Sequence, residues 1–233
     1  MLKDFKIKPP FFEIGPKAFL YGEGMLKLAK VIDKTAMKYD LDVIVTPQYT
    51  DLRLLAENTE RILVFAQHMD ALRPGRGLGS VLPEAVKATG AVGVMLNHAE
   101  KPVDPETLEA TIRRAEEVGL ATIVCADTVE DVKRVARMNP DLIVAEPTDL
   151  IGTGTTSDSN YVLETIDMVK QINPDIMVLQ GAGISNGNDV YKTIKLGAEA
   201  TGTTSGIMKS DRPYEMVEEM LYNLRKAWDE LHA

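Results

Sequence analysis

Short apolar runs alternate with longer amphipathic segments along most of the chain. The apolar runs show little polar alternation, which is typical of strands buried on both faces of a parallel sheet. Eight runs can be distinguished, at 11–14, 43–45, 62–66, 91–96, 121–125, 142–145, 176–179 and 198–204. The eighth is a weak strand by composition, because it consists mostly of Thr, Gly and Ala. Successive runs begin roughly 20 to 35 residues apart, an interval that accommodates a strand, a crossover helix and two loops.

The amphipathic segments between the runs predict helices. At 105–118, Leu108, Ile112 and Ala115 recur on one face, and Asp104 precedes them as an N-cap residue. The other predicted helices cover 19–39, 51–60, 81–88, 129–138, 157–172, 189–196 and 214–231, of which 51–60 is short.

Eight strand–helix units predict an α/β fold with a parallel sheet. Such a sheet closes best as a (β/α)8 barrel, and an open doubly wound sheet is the structural alternative. The length of 233 residues suits one barrel. We find no linker or low-complexity stretch, so we expect a single domain over 1–233.

Composition and charge argue against several classes of protein. The single cysteine, Cys125, cannot form an internal disulfide, which fits a reducing compartment and predicts a cytoplasmic location. Residues 1–10 carry charges and no apolar run, so we expect neither a signal peptide nor a membrane anchor there. The formal net charge of −9 argues against nucleic-acid and membrane partners. A phosphate site would have to be built locally, from backbone N–H groups and lysines.

Chemically active side chains follow several of the predicted strands. In barrels of this kind, catalytic groups lie at the carboxyl ends of strands. Lys17 follows the first run, His98 the fourth and Glu146 the sixth. Small residues follow the sixth, seventh and eighth runs, among them Gly152, Gly181, Gly183, Thr204 and Ser205. An ammonium, an imidazole and a carboxylate beside a phosphate site suit proton transfer next to a carbonyl group.

Each of these residues also has a plainer explanation. His98 could be a structural histidine, Lys17 could be a solvated residue before the first helix, and the glycines could only form turns. Glu146 is more informative, because a carboxylate directly after the apolar run 142–145 is costly unless it is paired or used.

The residues at these junctions resemble the triosephosphate isomerase family, in its short archaeal form. Asn97-His98-Ala99-Glu100 is similar to the family's Asn-His-Ser-Glu motif. Residues 145–154 resemble its catalytic-glutamate and lid segment, and 66–70 and 181–184 also resemble archaeal members. The resemblance runs from about Phe12 to the last predicted helix.

This resemblance implies a TIM barrel that interconverts glyceraldehyde 3-phosphate and dihydroxyacetone phosphate through an enediolate, in glycolysis and gluconeogenesis. Glu146 would be the base and His98 a neutral imidazole that hydrogen-bonds the substrate oxygens. Lys17 would stabilise the enediolate and Glu100 would orient Lys17. The resemblance implies no metal or organic cofactor, and it implies a homo-oligomer, either a dimer or a tetramer.

The family resemblance also implies how a phosphorylated sugar would be held. Residues 147–154 would form a closing lid, with Pro147 stiffening one hinge and glycines softening the other. The substrate and its phosphate would bind at a set of mostly small residues, namely Gly15, Lys17, Gly152, Gly181, Gly183, Thr204 and Ser205.

Three positions depart from the family pattern. Gly15 replaces the Asn of the Asn-x-Lys motif, Leu78 replaces a Thr that reaches into the partner subunit's site, and Thr204 is bulkier beside the phosphate. These departures leave two alternatives open. One is an isomerase of the same mechanism acting on another phosphorylated sugar, such as a tetrulose phosphate. The other is a non-catalytic protein that binds a phosphorylated metabolite, against which the retained Glu146 and lid argue.

Overall fold

The computed structural model describes residues 6–233, in which eight parallel strands close into a barrel. Each strand pairs with the next, and β8 pairs with β1, so the open doubly wound alternative is wrong. The strands are β1 Phe11–Ile14, β2 Asp42–Val45, β3 Leu63–Ala66, β4 Gly93–Leu96, β5 Ala121–Ala126, β6 Leu142–Ala145, β7 Met177–Gln180 and β8 Ala200–Thr203. The predicted (β/α)8 barrel is confirmed, including its weak eighth strand.

At least one helix follows each strand. The helices are α1 Gly22–Tyr39, α2 Leu52–Ala56, α3 Pro83–Lys87, α4 Pro105–Val118, α5 Val129–Arg137, α6 Ser159–Ile172, α7 Gly187–Lys195, α8 Ser205–Met208 and α9 Pro213–Leu231. The predicted cap of α4 is confirmed, because the Asp104 side chain accepts a hydrogen bond from the N–H of Thr107 at 3.0 Å. The helix ends at Gly119, whose φ of 74° suits glycine.

The prediction of one helix over 51–60 is wrong at both ends. A 3-10 turn, Tyr49–Asp51, precedes α2, and α2 ends at Ala56. The N–H groups of Glu60, Arg61 and Ile62 all donate to the buried carboxylate of Asp33 on α1. These hydrogen bonds hold residues 60–62 outside any helix, where the chain enters β3, after α2 has ended at Ala56.

Two layers of side chains form the core. Outward-facing strand residues such as Phe12 and Ile14 pack under the helices. Inward-facing residues, including Phe11, Phe65 and Met95, fill the barrel interior. Since successive strand residues point to opposite faces, Glu13 faces inward between Phe12 and Ile14. The barrel therefore contains a carboxyl group among apolar side chains, on the floor of the site described next.

The sequence predicts neither a signal peptide nor a membrane anchor in residues 1–10, and residues 1–5 of this segment lie outside the described part of the chain. Within residues 6–233, no helix combines the length and apolar character that crossing a membrane requires.

Candidate active site

A cavity of about 530 Å³ opens at the carboxyl ends of the barrel strands. Its volume falls in the range typical of small-molecule sites. Every residue predicted for the site contributes to its wall, namely Gly15, Lys17, His98, Glu100, Glu146, Gly152, Gly181, Gly183, Thr204 and Ser205. The predicted residues come from the ends of β1, β4, β6, β7 and β8, and residues at the ends of the other three strands, such as Gln48, Gln67 and Cys125, complete the wall.

Lys17 follows β1 and is fixed by its side chain and its backbone. Its Nζ donates to Oε1 of Glu100 at 2.7 Å, and this hydrogen bond lowers the pKa of Glu100. Its φ is 47°, a left-handed conformation that costs a non-glycine residue about 1–2 kcal/mol. Its carbonyl accepts hydrogen bonds from the amides of Gln48, at 2.6 Å, and Gln67, at 3.0 Å. These two amides hold the strained backbone that aims the ammonium into the cavity.

His98 follows β4 with one ring nitrogen already used. Its Nδ1 accepts a hydrogen bond from the N–H of Glu100 at 3.0 Å. The imidazole proton is therefore assigned to Nε2, which lies 4.0 Å from Oε2 of Glu146. Burial, assisted by the positive charge of Lys17, lowers the pKa of His98 below 6.5. A neutral ring with an Nε2–H donor directed at the cavity follows from these contacts.

Glu146 follows β6 directly, as the sequence predicted. Burial raises the pKa of its carboxyl above 4.5, while Lys17 and the N–H of Ala182, which donates to Oε1 at 3.2 Å, oppose that shift. Gly181 leaves space for this side chain, because a Cβ at position 181 would lie 2.9 Å from Cβ of Glu146. The carboxylate is thus a stronger base than an ordinary glutamate.

Four backbone N–H groups in the cavity wall have no acceptor in the described part of the chain. They belong to Gly152, Gly183, Thr204 and Ser205. The N–H groups of Gly15 and Gly181 differ, since they donate to Thr203 and Ala145 within the barrel. Gly15 and Gly181 are predicted to contact substrate. Their N–H groups are already used, so this prediction depends on the space that a glycine leaves by having no side chain. All four residues line the same cavity, and backbone N–H groups without an acceptor are suited to binding an anion.

Comparison with known proteins identifies the family. Residues 20–220 match the family model described as triosephosphate isomerase. The triosephosphate isomerase of Sulfurisphaera tokodaii is 36% identical over 228 residues, which cover 96% of this chain and 99% of that protein. The chain belongs to the triosephosphate isomerase family. The triosephosphate isomerase of Methanocaldococcus jannaschii is 39% identical over 203 residues, which cover 86% of this chain and 92% of that protein.

The structure shows the surroundings of two residues, Leu78 and Gly15, at which this triosephosphate isomerase family member departs from the family pattern. The side chain of Leu78 is fully exposed in the loop after β3. The space beside Gly15 is filled by oxygen atoms of neighbouring side chains, with Oε1 of Glu13 3.0 Å from the position of a Cβ. The match to the family model begins after Lys17, so the altered Gly15-Pro16-Lys17 motif lies outside it.

Two residues of the segment after Glu146, Ile151 and Gly152, line the cavity. Thr148–Leu150 forms a 3-10 turn, and the N–H of Thr148 donates to Asp127 at 2.9 Å. Gly152 and Gly154 have φ of 74° and 77°, which few other residues adopt. A Cβ at Gly183 would lie 1.9 Å from the carbonyl oxygen of Thr155. The end of this segment therefore rests on the backbone of the loop after β7.

Sequence reasoning missed three residues of this triosephosphate isomerase family site. Gln48 and Gln67 hold the Lys17 backbone, and Glu13 forms part of the cavity floor. Gln67 stands at the end of the third apolar run, a position that could have drawn attention to it. Glu13 is the one charged residue within the first apolar run, and that signal was available and overlooked.

Proposed function

We propose that the protein is a triosephosphate isomerase that interconverts glyceraldehyde 3-phosphate and dihydroxyacetone phosphate. The observation that carries the proposal is the convergence of Glu146, His98 and Lys17 on one cavity, next to four free backbone N–H groups. The names of the relatives, all triosephosphate isomerases, support the same reaction.

Glu146 is the base of the proposed reaction. Its carboxylate removes a proton from the carbon next to the carbonyl group and returns it to the neighbouring carbon. A base with a raised pKa suits this task, because the carboxylate must take up a proton in one step and release it in the next near neutral pH.

His98 and Lys17 stabilise the enediolate in this proposal. The Nε2–H of His98 donates to the substrate oxygens, on which negative charge develops; His98 gives this proton to the former carbonyl oxygen and takes one from the former hydroxyl oxygen, so the oxygen protons balance. The ammonium of Lys17, held by Glu100, supplies the compensating positive charge. Both groups are fixed before substrate arrives, so little reorganisation is needed during the reaction.

The phosphate is held by the N–H groups of Gly152, Gly183, Thr204 and Ser205. Residues 147–154 close over the bound substrate as a lid and exclude water. Exclusion of water matters because an enediolate next to a phosphate ester can otherwise eliminate phosphate. Pro147 restricts one end of the lid, and Gly152 and Gly154 give freedom to the other.

We further propose that residues 1–233 form one domain and that the chain acts in the cytoplasm as a homo-oligomer, a dimer or a tetramer. Leu78, fully exposed in the loop after β3, is an apolar contact available to a second copy. An apparent mass near 25.6 kDa in size-exclusion chromatography, which is the mass of one chain, would contradict the proposed homo-oligomer.

The test of the proposed function is a coupled assay of both reaction directions. We expect kcat/KM of about 10⁴ M⁻¹s⁻¹ or more. Glu146→Gln removes the base and keeps the size of the side chain, so we expect its rate to fall to background. A wild-type rate equal to that of the variant would refute the proposal.

A further inference from the structure

Glu13 is a third acid in the cavity wall, and the mechanism above gives it no role. It is only 8% exposed and lies on β1 with its side chain inside the barrel. The nearby interior residues are apolar, for example Met95 and Leu179. A carboxyl group in such surroundings is costly unless the structure makes room and supplies partners for it.

Two glycines make room for this carboxyl group. Gly202 on β8 pairs directly with Glu13, and a Cβ at Gly202 would lie 3.0 Å from Oε2. A Cβ at Gly15 would lie 3.0 Å from Oε1. The carboxyl group therefore occupies a volume that side chains at positions 15 and 202 would otherwise fill.

Hydroxyl groups surround the same volume. Oγ1 of Thr46 donates to Oε1 of Glu13 at 3.1 Å. The point where a Cβ of Gly15 would lie is 3.2 Å from Oγ1 of Thr204 and 3.4 Å from Oγ1 of Thr46. Three oxygen atoms thus converge beside Gly15 and give an apolar barrel a polar floor.

The charge state of Glu13 follows from this burial. Burial raises the pKa of Glu13 to about 8, and the negative charge of Glu146 adds to that shift. The hydrogen bond from Thr46 and the charge of Lys17 oppose it. The thiol of Cys125 on β5 faces the same volume, and its pKa is raised by burial. Near neutral pH the carboxyl is protonated, and because Oε1 accepts from Thr46, the proton is assigned to Oε2.

We propose that Glu13 is a specificity-determining residue, whose protonated carboxyl donates a hydrogen bond to an uncharged oxygen of the substrate's carbon chain. The ligand class is a hydroxyl or carbonyl oxygen of a small phosphorylated sugar, so the proposal rests on the proposed function. The phosphate binds elsewhere, at the free N–H groups. Loss of the Glu13 proton places another negative charge next to Glu146, which disfavours an anionic ligand.

Binding of inert probes tests this proposal without turnover. Glycerol 3-phosphate carries a phosphate and uncharged hydroxyl groups, whereas inorganic phosphate carries no carbon chain. In Glu13→Leu, which keeps the side-chain bulk and removes the donor, we expect glycerol 3-phosphate to bind about three- to tenfold more weakly, since one hydrogen bond is lost. Inorganic phosphate should bind as it does to wild type. Equal weakening of both probes, or of neither, overturns the proposal.

The pH dependence of glycerol 3-phosphate binding distinguishes the proposed role of Glu13 from a purely structural one. Above about pH 8 we expect wild type to bind glycerol 3-phosphate progressively more weakly. Glu13→Gln keeps the shape and a donor but cannot ionise, so this decline should be absent. The matched control is Glu199→Gln, which neutralises an acid paired with Lys170 and not part of the cavity wall, and which should behave as wild type. An identical alkaline decline in wild type and Glu13→Gln overturns the proposal.

The two proposals fail in different ways. If wild type shows no isomerase activity but the probe pattern holds, the proposed function fails and the role of Glu13 stands. If wild type is active and the Glu13 variants bind both probes as wild type does, the isomerase stands and the role of Glu13 fails.

Discussion

Nζ of Lys17 lies 2.7 Å from Oε1 of Glu100, although the two residues are 83 positions apart in the chain. The barrel brings the ends of β1 and β4 to one face and so makes this pair possible. Glu100 is largely exposed, with 64% of its side chain accessible, so the pair orients the ammonium and contributes little to stability.

Glu100→Gln removes the charge that orients Lys17 and leaves the ammonium in place. We expect kcat to fall about two- to fivefold, the range that an exposed ion pair worth up to ~1 kcal/mol allows. Steady-state kinetics at low and high salt measure this loss. Glu57→Gln, which breaks the exposed pair with Arg53 outside the cavity, is the control and should leave kcat unchanged. A loss of equal size in both variants would contradict the orienting role.

The pH profile of kcat/KM should be set on its acidic side by Glu146. The pKa of Glu146 is raised, so the carboxylate is lost as pH falls through a value above 4.5, and activity falls with it. The pKa of His98 is lowered, so the imidazole stays neutral throughout the neutral range and adds no ionisation there. A carbon-13 NMR titration of labelled histidine checks the second point. A protonated His98 at pH 7 would contradict it.

Gly183→Ala should disturb the lid. A Cβ there would lie 1.9 Å from the carbonyl oxygen of Thr155, so the backbone following residues 147–154 must move. We expect kcat/KM to fall at least tenfold, since small displacements of positioning groups are costly to catalysis. Gly197→Ala is the matched control, because Gly197 also has positive φ, 97°, but nothing lies within 4 Å of its Cβ position. Stability should fall in both variants and activity only in the first.

Much of the fold was predictable because its signals are local. The helix over 105–118 has a capping Asp104, regular apolar spacing and a terminal Gly119, and its bounds were correct. The carboxyl end of the helix predicted over 51–60 was wrong because the carboxylate of Asp33 accepts hydrogen bonds from the N–H groups of Glu60, Arg61 and Ile62, 27 to 29 positions later in the chain. Capture of backbone donors by a distant side chain leaves no mark on the periodicity of the segment itself.

The part of the site that could be predicted consists of reactive side chains that directly follow strands. Glu146 was identified because a charge follows a buried run, and the structure places it beside His98 as expected for one site. Glu13 was missed although it is the one charged residue in its apolar run, because a four-residue run does not show which of its side chains face the barrel interior. Its setting depends on Gly202, nearly 190 residues away, which only the closed barrel brings alongside β1.

The buried Glu13 should make the stability of the protein depend on pH. Its pKa of about 8 in the folded state exceeds the ordinary 4.5, so the folded protein keeps a proton that the unfolded chain loses between these values. The free energy of unfolding therefore falls as pH rises through this window, by up to ~1.4 kcal/mol per pH unit. Urea unfolding at pH 6, 7 and 8 should show a steeper decline for wild type than for Glu13→Gln. Parallel declines would show that Glu13 is not protonated in the folded state.

The central claim is that Glu146 carries a proton between two carbons of the substrate, and isomerisation in deuterium oxide tests it most directly. A proton held on a carboxyl group exchanges with solvent, so product formed by wild type should carry deuterium on the carbon that receives the proton, detectable by proton NMR. Glu146→Gln should give neither product nor deuterium incorporation above the buffer rate. Equal incorporation by wild type and Glu146→Gln, or no conversion by wild type, would contradict the account.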